Sequence, residues 1–184
     1  DLTYREVMTM AAVIGMSGGL ILSGDNIATL SPARLRLLQR LLPPSNRAAV
    51  PLDLFERDHP ELLALPCDGP AGPYTVLATI NWGDKMRDTV LDLSAFVPGD
   101  SGQPFYVCNL LDEHHSGMAT GERTFTYHGR HSTLLLLLKP IDDHPNLIAS
   151  TLHLLGGMIE VEEVAWTGKR LRIVLDRPGR QTGR

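Results

Sequence analysis

The chain has 184 residues, of which 43% are hydrophobic, 21% charged and 5% aromatic, with a formal net charge of -4. That length holds one domain, or one domain plus part of another, with enough apolar material for a core. A mildly acidic balance without a long basic run argues against a nucleic-acid partner. The longest apolar stretch, residues 8–22, is interrupted by Gly15, Gly18 and Gly19 and is too short to span a membrane.

Taken from the start, DLTYRE carries no secretory signal, and the absence of an initiator methionine reads as a chain cut from something longer. Tyr4, Val7, Met8, Ala11 and Ala12 recur at helical spacing. That helix is expected to end at Gly15 or at Ser17-Gly18-Gly19, where glycine suits a left-handed cap. The continuous apolar run Leu20-Ile21-Leu22 predicts a parallel strand covered on both faces. Ser31 is a good N-cap and Pro32 fits the first helical position. The helix they open carries Leu35, Leu37, Leu38, Leu41 and Leu42 and cannot pass Pro43-Pro44. Its leucines cover about half the circumference, more than one amphipathic stripe needs. It is therefore expected to pack on its own sheet and on a neighbouring domain. A parallel strand needs parallel neighbours, and no further βα unit follows. Residues 1–44 are thus expected to be the last helix-strand-helix of an incomplete (β/α)8 barrel.

From about Ser45 the period changes to two. YTVLATINW puts Val76, Ala78, Ile80 and Trp82 on one face and Thr75, Leu77, Thr79 and Asn81 on the other. Gly83-Asp84 is a turn, and TVLDLSAF returns as a strand. PFYVCNLL is the next strand, and the stretch with His114, His115 and Gly117 reads as a loop. RTFTYHG and HSTLLLLLK are further strands. The last is a hairpin turning at Thr167-Gly168-Lys169, with a bulge at Glu162-Glu163. The expected fold is mostly β: an antiparallel β-sandwich over residues 45–184, preceded by the terminal βα fragment of the barrel. Leucines of the 134–138 run that point away from the sandwich core require a covered outer face, against the barrel or an extra strand pair. The basic tail DRPGRQTGR is expected to be frayed, an interruption before a final strand. The two cysteines, Cys67 and Cys108, make neither a disulfide framework nor a metal-ligand spacing, so a reducing compartment, the cytoplasm, is the default.

MTMAAVIGMSGGLILSGDNIATLSPARLRLLQRLLPP resembles the last barrel strand and helix of the melibiase-like glycoside hydrolases, the α-galactosidase clan that includes families 27 and 36. Ser23-Gly24-Asp25-Asn26 is a variant of that group's acidic turn. LATINWGDKMRDTVLDLSAF is similar to the strand pair opening its C-terminal β-domain, with Asn81-Trp82 in the typical place. GERTFTYHGRHSTLLLLLKP resembles a later strand pair, and NLIASTLHLLGGMIEVEEVAW an extension found in some bacterial members. The resemblance implies a retaining hydrolase acting on terminal α-galactosides through an aspartate nucleophile and an aspartate acid/base about 5 Å apart. Both lie on earlier barrel strands, so no residue of this chain is assigned a catalytic role. No cofactor or metal is implied. The implied partner is the upstream barrel of the same protein, with a homo-oligomer as a further expectation.

Asp25 and Asn26 are the candidate substrate-binding residues, since the carboxyl ends of barrel strands carry active sites and a carboxylate can accept two sugar hydroxyls. The alternative is a loop role, capping turn backbone, because one carboxylate without its partner does no acid/base work. Asp112, Glu113, His114 and His115, with His128 and His131, lack a ligand spacing on a fixed element and read as solvated loop residues. Trp82 and Trp166 are sugar-stacking platforms in one reading and core residues in the other. Glu160, Glu162 and Glu163 resemble paired carboxylates, but adjacent strand residues project to opposite faces unless a bulge intervenes. Two functions follow: the non-catalytic C-terminal portion of such a glycosidase, buttressing its barrel, or an independent carbohydrate-binding or protein-interaction β-module. The second requires exposed aromatics in line on a sheet face.

Overall fold

A computed structural model describes residues 2–99 and 102–176. Helix α1 (Tyr4–Ser17) starts on a capping box, in which the Thr3 hydroxyl accepts from Glu6 N–H while the Glu6 carboxylate accepts from Thr3 N–H at 2.6 Å. Such a cap stabilises a helix by about 1 kcal/mol. The helix ends on Gly18, in the left-handed region at φ 67°. A Cβ there would also strike the Arg47 backbone, because the chain returns past the helix end and Ala49 N–H donates to the Met16 carbonyl at 2.7 Å. Helix α2 (Pro32–Arg40) is capped by the Ser31 hydroxyl, with proline opening its first turn.

Between them the expected strand is absent. Leu20-Ile21-Leu22 is irregular, and Leu20 and Leu22 are 79% and 80% exposed. The physical reason is the one that makes a lone parallel strand untenable: backbone groups on both edges need partner strands. Among the described residues no strand lies beside this segment.

Ten strands follow among the described residues: β1 (Val50–Pro51), β2 (Leu62–Gly69), β3 (Gly72–Asn81), β4 (Arg87–Asp92), β5 (Phe105–Asn109), β6 (His114–Ala119), β7 (Glu122–His128), β8 (Ser132–Pro140), β9 (Val161–Trp166) and β10 (Leu171–Leu175). All pairings are antiparallel. Six strands form the main sheet in the order β1-β2-β3-β8-β5-β6, while β4 pairs with β7 and β9 with β10. The segment expected as one strand after the Gly83-Asp84 turn is β4 followed by a 3₁₀ turn over Leu93–Phe96, and β4 joins the second layer. The stretch read as a histidine loop is β6, the sheet's edge, hydrogen-bonded to β5 across a bulge. Strand β2 had no counterpart in the sequence reading. The hairpin β9–β10 turns where expected. Val174 pairs with Glu163 and Leu175 with Val161, so Glu162 is the extra residue of the bulge. From residue 177 the basic tail lies outside the described residues.

The leucine run of β8 explains the layering. Leu135 and Leu137 point into a core shared with Ala12 and Met16 of α1, Leu37 of α2 and Leu41 just after it, and Leu154 and Leu155. Leu136 and Leu138 point the other way, with Leu77, Phe105 and Val107, against Leu91 of β4, Phe125 of β7 and Leu93. Both faces of the sheet are therefore covered at β8. The outer face that the sequence required to be covered is covered by α1, α2 and the segment 147–158. That segment is tied to the end of α2: Leu154 N–H donates to Arg40 O at 2.8 Å, and His153 Nε2 donates to Pro43 O at 3.0 Å.

Candidate functional site

Asp25 and Asn26 lie on the exposed loop between α1 and α2. Asn26 caps the 3₁₀ turn Ile27–Thr29, its Oδ1 accepting from Ala28 N–H at 3.2 Å. Asp25 borders an apolar groove of about 540 Å³ between α1, the irregular Leu20–Ser23 segment and α2. Among the described residues no second carboxylate lines that groove.

The histidines separate. His131 Nε2 meets the exposed Asp84 at 2.9 Å. His114 and His115 are on β6, and His115 Nδ1 is 3.5 Å from Cys108 Sγ. Burial pushes the Cys108 and Cys67 thiols up to about 11, so both stay protonated at neutral pH and neither is an activated nucleophile. Among the described residues, no three histidine, cysteine, aspartate or glutamate side chains gather around a common point. Glu113 instead joins Arg36, both its oxygens lying 2.8 Å from one guanidinium nitrogen, and the buried Arg40, 3.5 Å away. Arg40 also donates to Leu110 O at 2.6 Å, fastening α2 to the β5–β6 turn, while burial lowers its pKa.

Trp82 is not a core residue. It sits just past β3, 38% exposed, with Nε1 donating to Pro60 O at 2.8 Å and its ring beside His59. The strand's inward order stops at Asn81, whose Nδ2 donates to the Lys85, Gly129 and His128 carbonyls at 2.8–3.1 Å. Trp166 is half-buried on β9. Of the three glutamates, Glu162 is exposed on the bulge and Glu163 pairs with Arg172. Glu160 is 1% exposed, and neither of its carboxyl oxygens has a hydrogen-bond partner among the described residues.

One concave feature was not foreseen. A cleft of about 690 Å³ separates the first turns of α1 from β7 and β8. Its charged side chains are Arg5, Arg123 and Asp112. His128 forms part of the wall, with both ring nitrogens engaged: Nε2 donates to Ser132 O at 3.0 Å and Nδ1 accepts from Thr89 Oγ1 at 2.9 Å. Burial lowers its pKa, which keeps that ring neutral. Residues 4–8 and 123–134 meet only through the docking of α1 on the sheet, so no local spacing in the sequence announces this cleft.

These elements define an antiparallel β-domain with two capped helices packed on one sheet face. No family model matches the sequence, and no curated protein matches it in sequence. Solved structures do match. A family 27 β-L-arabinopyranosidase from Geobacillus stearothermophilus aligns with a TM-score of 0.60 at 17% identity, over 78% of this chain and 32% of that one. α-Galactosidase I from Mortierella vinacea gives 0.54 at 12% identity, over 74% and 36%. The α-galactosidase from Saccharomyces cerevisiae, solved with raffinose, gives 0.55 at 11% identity, over 77% and 44%. The fold is that of the C-terminal β-domain region of family 27 glycoside hydrolases. The chain spans between about a third and under a half of the length of these structures.

Proposed function

We propose that this chain is the non-catalytic C-terminal portion of an α-galactosidase-like retaining glycoside hydrolase, and that it buttresses a catalytic barrel supplied by the preceding part of the same protein. The observation that carries the reading is the apolar surface at residues 20–30. Leu20, Leu22 and Ile27 are 79%, 80% and 57% exposed, and Leu20-Ile21-Leu22 has the composition of a doubly covered strand without strand neighbours. In this reading residues 1–44 complete the barrel, and that segment becomes its last strand once its neighbours are present. Asp25 and Asn26 then face the sugar from the strand's carboxyl end, while the two catalytic aspartates and the terminal α-galactoside they act on belong to the barrel. The fold likeness to family 27 enzymes supports the assignment.

The test is reconstitution. The chain is mixed with a separately produced barrel portion of the parent protein, and association is followed by sedimentation. A one-to-one complex that is lost in the Leu20→Asp, Leu22→Asp double variant is expected. Absence of association, or association indifferent to both substitutions, refutes the proposal. An independent sugar-binding module draws on the partial exposure of Trp82 and the 98% exposure of Phe55. It predicts galactose-induced changes in tryptophan fluorescence from the chain alone.

A further inference from the structure

We infer that β10 is a self-pairing edge: two copies of this chain join β10 to β10 antiparallel about a twofold axis at Ile173, turning two two-stranded ribbons into one four-stranded sheet. The first observation is the edge itself. β9 and β10 form a sheet of their own, and among the described residues no strand lies on the far side of β10. The hairpin fixes which backbone groups that edge presents. At the turn Thr167 N–H donates to Arg170 O at 3.1 Å, and at the other end Asp176 N–H donates to Glu160 O at 2.9 Å. Residues along an antiparallel strand alternate between turning their backbone groups to the partner and turning them away. Arg170, Arg172, Val174 and Asp176 therefore face β9, while Leu171, Ile173 and Leu175 direct their N–H and C=O groups outward. The bulge lies in β9, so β10 runs unbroken, and it contains no proline. Ile173 is 40% exposed. An unbroken edge of this kind is a template for another strand.

The second observation selects the occupant. With Ile173 opposite Ile173 of the second copy, Leu171 falls opposite Leu175, Arg172 opposite Val174 and Arg170 opposite Asp176. The outward groups of Leu171, Ile173 and Leu175 then all find partners, and leucine and isoleucine side chains meet on one face. Arg172, the charge within the strand, is held by Glu163 at 3.3 Å and meets a valine. Arg170 and Asp176 are exposed, and neither forms an ion pair among the described residues. They carry opposite charges and lie at equal distances from Ile173, so the twofold axis sets each against the other at both ends of the strand pair. A foreign strand would have to match that order of charges; a second copy supplies it by symmetry. The far edge of β9 has no such match: about Val164, Glu162 would fall opposite Trp166 and Glu163 opposite Ala165. This inference does not depend on the proposed assembly with a barrel.

The experiment is sedimentation velocity of the full chain from about 5 µM to about 1 mM at low ionic strength, because one strand pair buries less than a standard interface and associates weakly. A reversible monomer–dimer equilibrium is expected. Ile173→Pro removes an N–H that β9 does not use, so the monomer's thermal melt is expected to stay cooperative while dimerisation weakens about tenfold or more. Arg170→Glu and Asp176→Arg each set like charges against one another at both ends, and each is expected to weaken the dimer about tenfold or more. Mixed in equal amounts, these two variants are expected to dimerise again, because each chain of the mixed pair meets the opposite charge at both ends. A chain that stays monomeric throughout, a dimer indifferent to Ile173→Pro or to either charge reversal, or charge variants that associate no better together than apart overturns the inference.

Discussion

Leu136 and Leu137 are neighbours on β8, 1% and 0% exposed, and they point to opposite faces of the main sheet. In a one-sided sheet one of them would be cheap to truncate; here both are predicted to be costly. Replacing leucine by alanine removes three carbons from a buried site. At about 0.8 kcal/mol per buried methylene, that is a transfer loss of about 2.4 kcal/mol. The void left among neighbours that relax only in part raises the total to about 3–5 kcal/mol. Leu137 loses its contacts with the helical layer, and Leu136 those with the β4–β7 layer. Each variant is to be compared with the parent chain by urea denaturation, followed through Trp82 and Trp166 fluorescence. Both midpoints are expected to fall by similar amounts with the slope unchanged. A cost below about 1 kcal/mol for either leucine, with a normal slope, would show that its face is not covered and would refute the three-layer packing.

Other consequences can be checked in the same way. Gly18→Ala forces a side chain into the left-handed region and against the Arg47 backbone, so a loss of at least about 2 kcal/mol is expected in thermal or urea melts. Leu20→Asp and Leu22→Asp alter side chains that touch solvent in the chain alone, so each is expected to change its stability by less than about 0.5 kcal/mol. The buried His128 has its pKa lowered by desolvation, so the unfolded chain binds a proton there more readily than the folded one. Its contribution is fully present above the unfolded value of about 6.5 and is lost as pH falls from there toward the folded value. His128→Gln should flatten that acid-side decline in a series of melts between pH 7 and pH 5, and an unchanged slope contradicts the assignment.

Much of this architecture was legible because local rules and tertiary packing agree. Ser31 and Pro32 mark a helix start by their own chemistry, and the first helix stops at the expected group, one residue short of Gly18. The alternation through Val76–Asn81 gave a strand, and the Glu162-Glu163 interruption gave a bulge. What escaped was structure set by context. β2 contains Pro66, which reads against a strand interior. Yet β1 pairs only with Leu63 and Ala64, so at Pro66 the strand is an edge on that side and tolerates proline. β6, with His-His-Ser-Gly at its start, has no apolar alternation and owes its conformation to backbone pairing with β5. Trp82 continues the inward parity of β3 on paper, but the chain turns at Asn81 before the tryptophan reaches the core. Leu20–Leu22 carries the composition of a strand, while strand formation depends on neighbours that composition cannot supply. The cleft beside Thr133 joins residues more than a hundred positions apart, so only the docking of α1 on the sheet creates it.

The central claim is that this chain supports catalysis without performing it. Hydrolysis of an aryl α-galactoside, measured with the chain alone and then with the barrel portion added, tests it most directly. The account predicts no turnover from the chain alone and galactose release when both parts are present. Turnover by the chain alone that disappears in Asp25→Ala would contradict it.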